Sequence, residues 1–105
     1  MTKYKAVKTN GYASKKEAKR AAELKLMEKA GLITDLEEQT KWRLILPQKL
    51  SNGRTERGCT YIADFEYFTP GGDRVVEDVK GIKTDAYIIK RKLMLFIHGI
   101  EILET

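Results

Sequence analysis

The chain has 105 residues and a formal net charge of +5 at neutral pH. This length predicts a single domain spanning residues 1–105, and the balance of apolar and charged residues is typical of a folded globular protein. One cysteine, Cys59, excludes an internal disulfide and a zinc site made of several cysteines.

The N-terminal part of the sequence is strongly basic. Residues 1–30 hold nine Lys and Arg against three acidic residues, whereas residues 31–105 hold eleven against twelve. Residues 1–12 predict a flexible basic arm or a short extended segment. No apolar signal segment opens the sequence and no apolar run is long enough to span a bilayer, so we expect a cytoplasmic protein without a membrane partner.

The first helix is predicted to begin after Ser14 and to stop at Gly31. Ser14 is a good N-cap, and Glu17 three residues later completes a capping box. A cluster of cations at a helix start is suited to binding phosphates, although a solvated lysine-rich surface is the alternative explanation. The predicted nucleic-acid contacts on this helix are Lys15, Lys16, Lys19 and Arg20.

The next segment predicts a polar connection over residues 32–40 and then a strand over 41–46, which Pro47 ends. Asn52-Gly53 is a strong hairpin signal. If these two are the central turn residues, Ser51 faces Arg54, and Leu44 faces Tyr61 in the following strand.

Two further strands, joined by a tight loop, carry the main candidate site. In the first of them Tyr61, Ala63, Phe65 and Tyr67 alternate onto one face, which leaves Asp64 and Glu66 on the other. Residues 69–73 are turn formers. In the second strand Asp78 and Lys80 share a face, and Glu77 points the opposite way.

The register of this hairpin brings two carboxylates together. If residues 69–73 form the loop, Phe68 faces Arg74, and Asp64 then lies opposite Asp78 with their Cβ atoms about 5 Å apart. Two carboxylates in this position repel each other unless a cation lies between them. With Lys80 beside them, they suit a divalent metal and an anionic substrate.

The second helix is predicted over about residues 86–97, after a cap at Thr84 or Asp85, and is ended by Gly99. The predicted core stripe is Ile89, Leu93, Phe96 and Ile97. Tyr87 and Lys90 then lie on the outside and, with Lys83, are further candidate nucleic-acid contacts. Ile88 and Leu95 form an apolar line that this stripe does not cover, so we expect a homodimer.

A last strand over residues 100–103 is predicted to return parallel to the third strand through a right-handed crossover. The predicted fold class is therefore α/β, with element order α-β-β-β-α-β. The sequence predicts a mixed four-stranded sheet flanked by two helices.

Two short motifs carry a resemblance to a known superfamily. Ala63-Asp64-Phe65 followed by Asp78-Val79-Lys80 resembles the signature of the PD-(D/E)XK nucleases, with alanine in place of proline and aspartate at position 78. From Ser14 onward the chain is similar to small phage-encoded members of this superfamily, which are relatives of Holliday-junction resolvases and VRR-type nucleases. The predicted order of elements matches their restriction-endonuclease-like core.

The resemblance implies a metal-dependent DNA endonuclease that uses Mg²⁺ or Mn²⁺. Asp64 and Asp78 would be metal ligands, with the Val79 carbonyl as a third, and Lys80 would act on the attacking water or on the developing charge. Glu17 matches a glutamate that the first helix of these nucleases contributes towards the metal; the alternative is that it only completes the capping box. Glu66 is a reserve candidate.

The implied substrate is DNA, with branched or junction DNA in phage recombination or replication as a candidate, in the cytoplasm of a bacterial host. The alternative function is a non-catalytic nucleic-acid-binding or inhibitory phage protein on a nuclease fold. Other hydrolytic sites lack parts, since His98 is the only histidine.

Overall fold

The structure, a computed structural model, describes residues 11–105. The elements are α1 (Lys15–Lys29), β1 (Thr34–Ile45), β2 (Gln48–Lys49), β3 (Thr55–Glu56), β4 (Cys59–Phe68), β5 (Arg74–Asp78), α2 (Asp85–Leu93), a π-helical turn (Met94–His98) and β6 (Leu103–Glu104). The predicted α/β fold with a mixed four-stranded sheet and two helices is confirmed. Most of the predicted basic arm, residues 1–10, lies outside the described residues.

The main sheet has the strand order β1-β4-β5-β6. β1 and β5 both pair antiparallel with β4, and β6 runs parallel to β5, as predicted. The register of β4 with β5 runs from Phe68–Arg74 to Phe65–Glu77, which confirms the predicted loop over residues 69–73. β2 and β3 form a separate two-stranded sheet.

The prediction of a polar connection over residues 32–40 is wrong, because β1 already begins at Thr34, which pairs with Phe68. β1 lies at the edge of the sheet and most of its residues are exposed, so its sequence needs no regular apolar alternation. Two non-glycine residues with positive φ, Asp35 (54°) and Gln39 (56°), further disturb the alternation.

The predicted register at the following hairpin is also wrong. Trp42, not Leu44, pairs with Tyr61, and the Leu50 N–H donates to the Arg54 carbonyl at 2.8 Å. The loop therefore has three residues, 51–53, with Gly53 at a φ of +88°. A two-residue turn was expected. The extra loop residue shifts the pairing by one residue, and a bulge between Arg43 and Ile45 shifts it by one more.

The first helix begins and ends as predicted. The Ser14 hydroxyl accepts a hydrogen bond from the Glu17 N–H at 3.1 Å, and Gly31 follows the helix with a φ of +80°. α1 buries Ala21 and Leu24 against the sheet. Tyr12, which was assigned to the flexible arm, is instead held by hydrogen bonds with Glu38 and Lys25.

The predicted core stripe of the second helix is largely wrong, because of its four residues only Leu93 packs against the core, where it is partly buried. Tyr87 and Met94 are buried, whereas Ile89 is 57% exposed and Phe96 is 86% exposed. Apolar residues lie on every side of this helix, and the π-helical turn shifts the phase of its last residues. Tyr87 tolerates burial because its hydroxyl donates to Glu104 at 2.6 Å. Among residues 11–105, no helix is both long enough and apolar enough to cross a membrane.

The core has two parts on opposite faces of the sheet. Val76 packs with Tyr61, Ala63 and Met94 on the α2 side, whereas its neighbour Val75 packs against the α1 side. The α1-side core contains Ala21, Leu24, Ile33, Phe65 and Tyr67. Tyr61 and Ala63 of β4 therefore face α2, whereas Phe65 and Tyr67 of the same strand face α1.

The exchange of faces along β4 occurs at Asp64. Strict alternation would place all four buried residues of this strand on one face. The pairs Glu38–Phe65 and Thr40–Ala63 are formed, but no backbone pair joins Gln39 to Asp64 between them, and Gln39 is the residue with positive φ. At this point both strands exchange the faces on which their side chains lie. Asp64 is therefore located between the two cores.

Candidate active site

The candidate site lies where β4 and β5 separate. Their backbone pairing ends at Phe65–Glu77, and beyond it the Val79 N–H donates to an Asp64 carboxylate oxygen at 2.9 Å instead of to a strand carbonyl. The side chain of Asp64 thus takes the place of the next backbone bond. The gap between the two strands holds the carboxylates of the predicted site.

Asp64 and Asp78 are brought close together. Burial is the main cause that raises the pKa of Asp64 to about 6, and the negative charge of Asp78 raises it further. Glu17, from α1, also contributes to this rise. Burial is likewise the main cause that raises the pKa of Glu17, with a contribution from Asp78. Three carboxylates therefore share this region and repel one another.

Asp78 is almost fully buried, at 4% exposure, and each of its carboxylate oxygens has a partner. The Tyr61 hydroxyl donates a hydrogen bond to Oδ2. Lys80 Nζ lies 3.2 Å from Oδ1 and 3.9 Å from the centre of the Tyr87 ring. Burial, together with the bond to Asp78, raises the pKa of Tyr61, so this hydroxyl remains a donor.

Glu17 is 6% exposed and lies beneath the start of α1. The Gln39 side-chain amide donates to its Oε2 at 3.3 Å. A bond from the backbone N–H of Ala13 lowers the pKa of Glu17 and so opposes the effect of burial. The cap of the helix is the Ser14 hydroxyl, and the carboxylate of Glu17 is turned towards Gln39 and the aspartates.

Two open cavities of different charge flank the paired aspartates. One, of about 300 Å³, is lined by Gly11, Tyr12, Ala13, Glu17, Glu38, Gln39 and Asp64. The other, of about 280 Å³, is lined by Thr60, Tyr61, Ile62, Asp78, Lys80, Thr84, Ala86, Tyr87 and Lys90. The first has three acidic residues and the second has two lysines, so one side suits a cation and the other suits an anionic substrate.

The donor set is compatible with Mg²⁺. Within residues 11–105, no three His, Cys, Asp or Glu side chains are grouped closely enough to form a complete metal cage. Mg²⁺ is commonly held by one or two carboxylates and keeps several waters, so Asp64 and Asp78 suffice in kind. A bound cation would relieve their mutual repulsion. The Val79 carbonyl as a ligand remains a prediction.

Glu77 belongs to a different network. Its fully buried carboxylate accepts bonds from Arg20 (Nη2 to Oε1, 3.1 Å) and from the Tyr67 hydroxyl at 2.7 Å. It points away from Asp78, as strand parity predicts. The reserve candidate Glu66 lies 3.5 Å from Arg74 in another ion pair and lines neither cavity at the aspartates.

The seven predicted nucleic-acid contacts divide into three groups. Several are already engaged within the protein: Arg20 with Glu77, Lys16 with the Lys80 carbonyl (2.9 Å) and Lys83 with Glu104 (3.2 Å). Tyr87 is buried, so its predicted position on the outer surface is wrong. Lys15 and Lys19 are exposed, and Lys90 lines the cavity beside Lys80.

Sequence reasoning missed Tyr61 and Gln39 as site residues. Tyr61 was assigned only to the packed face of its strand, and Gln39 to a polar connection. A tyrosine at a core position close to a predicted carboxylate pair is a usable signal, because a buried hydroxyl needs a partner. Gln39 gives no such signal in the sequence.

The DUF1064 family, described as "Protein of unknown function", matches residues 1–98 of the chain. No curated protein and no solved structure matches the chain.

Proposed function

We propose that this chain, which belongs to the DUF1064 family of proteins of unknown function, is a metal-dependent endonuclease that hydrolyses phosphodiester bonds in DNA. The observation that carries the proposal is the cluster of Asp64, Asp78 and Lys80 where β4 and β5 separate. A buried carboxylate pair that repels itself is costly to stability. Binding of a divalent cation would offset this repulsion, so the arrangement is suited to a metal site.

Asp64 and Asp78 would hold the cation, with Glu17 approaching from α1 and the Val79 carbonyl beside them. A bound Mg²⁺ or Mn²⁺ supplies charge neutralisation at the phosphate and lowers the pKa of a coordinated water. Tyr61 and Lys80 fix the orientation of Asp78 by occupying both of its oxygens. Gln39 holds Glu17 from the opposite strand.

Lys80 would act on the substrate side of the site. Its ammonium group lies between Asp78 and the Tyr87 ring, in the cavity that also contains Lys90. From there it neutralises the charge that develops on the phosphate or orients the attacking water. Thr60 and Thr84 line the same cavity and offer hydroxyl donors to phosphate oxygens.

We propose a second copy of the chain as a partner, with branched DNA in the cytoplasm of a phage-infected host as the substrate. The helical segment around α2 exposes Ile89, Leu95 and Phe96 at 57%, 55% and 86%. Ile88, which was expected to be exposed, is partly buried against the core. Pairing of this face in a two-fold dimer would present two sites to two strands. Sedimentation distinguishes a dimer from a monomer of 12.0 kDa.

The experiment that tests the nuclease proposal uses labelled linear, nicked, flapped and four-way-junction DNAs. We expect the wild-type protein to cleave DNA in Mg²⁺ or Mn²⁺ and not in EDTA. The Asp78→Asn variant should cleave none of these DNAs with either metal. Binding without cleavage by the wild-type protein in either metal would instead identify a non-catalytic DNA-binding protein. Cleavage that persists in EDTA would contradict the two-carboxylate mechanism.

A further inference from the structure

We infer that residues 46–58, which we term the arm, form a ribbon that docks on duplex DNA at a distance from the candidate active site. All thirteen residues of the arm are exposed. Within the described chain, its strands β2 and β3 pair only with each other, outside the four-stranded sheet. This inference takes DNA as the partner from the proposed function and adds a second surface for it.

The arm has a defined shape at both of its ends. At its base, a Cβ atom on Gly58 would lie 2.3 Å from the Ile45 carbonyl oxygen. Only glycine therefore fits where these two segments of the backbone approach each other. At its tip, the Asn52 side chain accepts a bond from the Arg54 N–H at 2.9 Å. These two features hold the arm in one conformation, although its strands β2 and β3 have only two residues each.

The charges of the arm indicate which partner. It carries Lys49, Arg54 and Arg57 against a single acidic residue, Glu56. These three cations form no ion pair with any carboxylate of residues 11–105, whereas six cations of the domain body do. Unpaired cations on a projecting ribbon suit a phosphate backbone. A two-stranded ribbon also has the width that the major groove admits.

The connection of the arm to β4 sets its reach. Six residues of extended chain separate Gly58 from Asp64, which places the base of the arm about 20 Å from the carboxylates, and its tip up to about 40 Å away. At about 3.4 Å per base pair, this reach corresponds to roughly 6–12 base pairs from the bond to be cleaved. We therefore expect the arm to contact the duplex that flanks the cleavage site and not the scissile bond itself.

The test compares two double variants that lose the same charge. Arg54→Ala/Arg57→Ala removes two arm cations, and Lys29→Ala/Lys92→Ala removes two exposed cations elsewhere. DNA affinity is measured by fluorescence anisotropy in EDTA, at about 50 to 200 mM salt, on a duplex of about 30 base pairs and on the single strand of equal length. Thermal melting checks that both variants are folded.

We expect the arm variant to lose about tenfold or more in duplex affinity and to reduce the log–log salt slope by about two, while the control keeps the wild-type slope. On the single strand, the arm variant should bind nearly as the control does. Equal slopes for the two variants on duplex, or an equal loss on single strand, would overturn the inference. So would a wild-type dimer that the arm variant dissociates, since the arm would then bind a second copy.

The two proposals fail separately. If the wild-type protein cleaves DNA in Mg²⁺ but the arm variant binds as the control does, only the arm inference falls. If the wild-type protein binds DNA in the arm-dependent way but cleaves none in either metal, only the nuclease proposal falls.

Discussion

The Tyr61 hydroxyl donates a hydrogen bond to Asp78, while Tyr67, six residues further along the same strand, donates to Glu77. The two tyrosines are both buried, at 3% and 5% exposure, and their partners are adjacent residues of β5. One tyrosine therefore orients a candidate metal ligand, and the other stabilises a carboxylate that is engaged with Arg20. The faces of β4 exchange between them, at Asp64.

This pair supplies a matched test of the metal site. Tyr61→Phe should reduce Mg²⁺ affinity about tenfold or more, because hydrogen-bond partners of metal ligands fix ligand orientation. Tyr67→Phe removes a similar hydroxyl and should leave the affinity unchanged, although both variants lose stability. Isothermal titration calorimetry with Mg²⁺ measures the effect without requiring activity. Equal affinities for the two variants would rule out a special role for Tyr61.

Glu17 offers a test of the two roles that its position in the sequence suggests. Glu17→Gln should weaken Mg²⁺ binding and cleavage, because the carboxylate lies near Asp78 and is held by Gln39. Ser14→Ala removes the helix cap and should cost about 1 kcal/mol in the free energy of unfolding, with Mg²⁺ affinity retained. If Glu17→Gln instead behaves like Ser14→Ala in both measurements, Glu17 serves only the helix.

Stability without metal should depend on the charge of Asp64. Its pKa is raised to about 6, so the folded protein binds this proton more tightly than the unfolded chain does. The unfavourable effect of the ionised carboxylate, at most about 3 kcal/mol, is present above pH 6 and is lost as the pH falls towards 4. We therefore expect the metal-free wild-type protein to gain stability from this group between pH 7 and pH 5.

Asp64→Asn should remove this dependence. Its amide oxygen still accepts the Val79 N–H, so the variant should melt several degrees above the wild-type protein at pH 8 in EDTA. The difference should shrink at pH 5. Glu37→Gln, at an exposed position of β1, is the control and should show neither effect. A melting temperature at or below that of the wild type at pH 8 would contradict the unfavourable effect of the ionised Asp64 carboxylate, to which burial contributes most and the charge of Asp78 contributes less.

Arg20 has one buried and one exposed partner, which allows their contributions to be compared. Arg20→Met leaves Glu77 without its counter-charge and should cost about 3–5 kcal/mol in the free energy of unfolding. Glu23→Gln removes only the exposed partner, 48% accessible, and should cost about 1 kcal/mol or less. Urea denaturation measures both. Similar small losses would mean that Glu77 is not held by Arg20.

The sequence allowed the hairpin that carries Asp64 and Asp78 to be predicted, because its loop is a compact run of turn residues and the strand period then determines the register. Ser14, Gly31 and Gly99 marked helix ends for similarly local reasons. The fold class followed from the order of these elements. Features that depend only on residues close in the sequence could therefore be predicted.

Features that depend on tertiary contacts could not be predicted from the sequence. The buried side of α2 is selected by where the sheet lies, and Tyr87 rather than Ile89 faces it because Glu104 satisfies its hydroxyl. The edge strand β1 is polar, so its sequence shows no apolar alternation. The exchange of its two faces at Gln39 depends on a backbone conformation that glutamine rarely adopts. The role of Gln39 follows from this exchange of faces and so could not be predicted, whereas the burial of Tyr61 close to the predicted carboxylate pair was a signal that sequence reasoning did not use.

The most direct test of the proposed chemistry is single-turnover cleavage of DNA in Mg²⁺ by the wild-type protein, Lys80→Ala and the exposed control Lys92→Ala. All three proteins are used in excess over labelled DNA, and their affinities are measured separately in EDTA. We predict that Lys80→Ala binds DNA nearly as well as the wild type but cleaves about a hundredfold or more slowly, while Lys92→Ala cleaves at the wild-type rate. Cleavage by Lys80→Ala at the wild-type rate would contradict the assignment of this site.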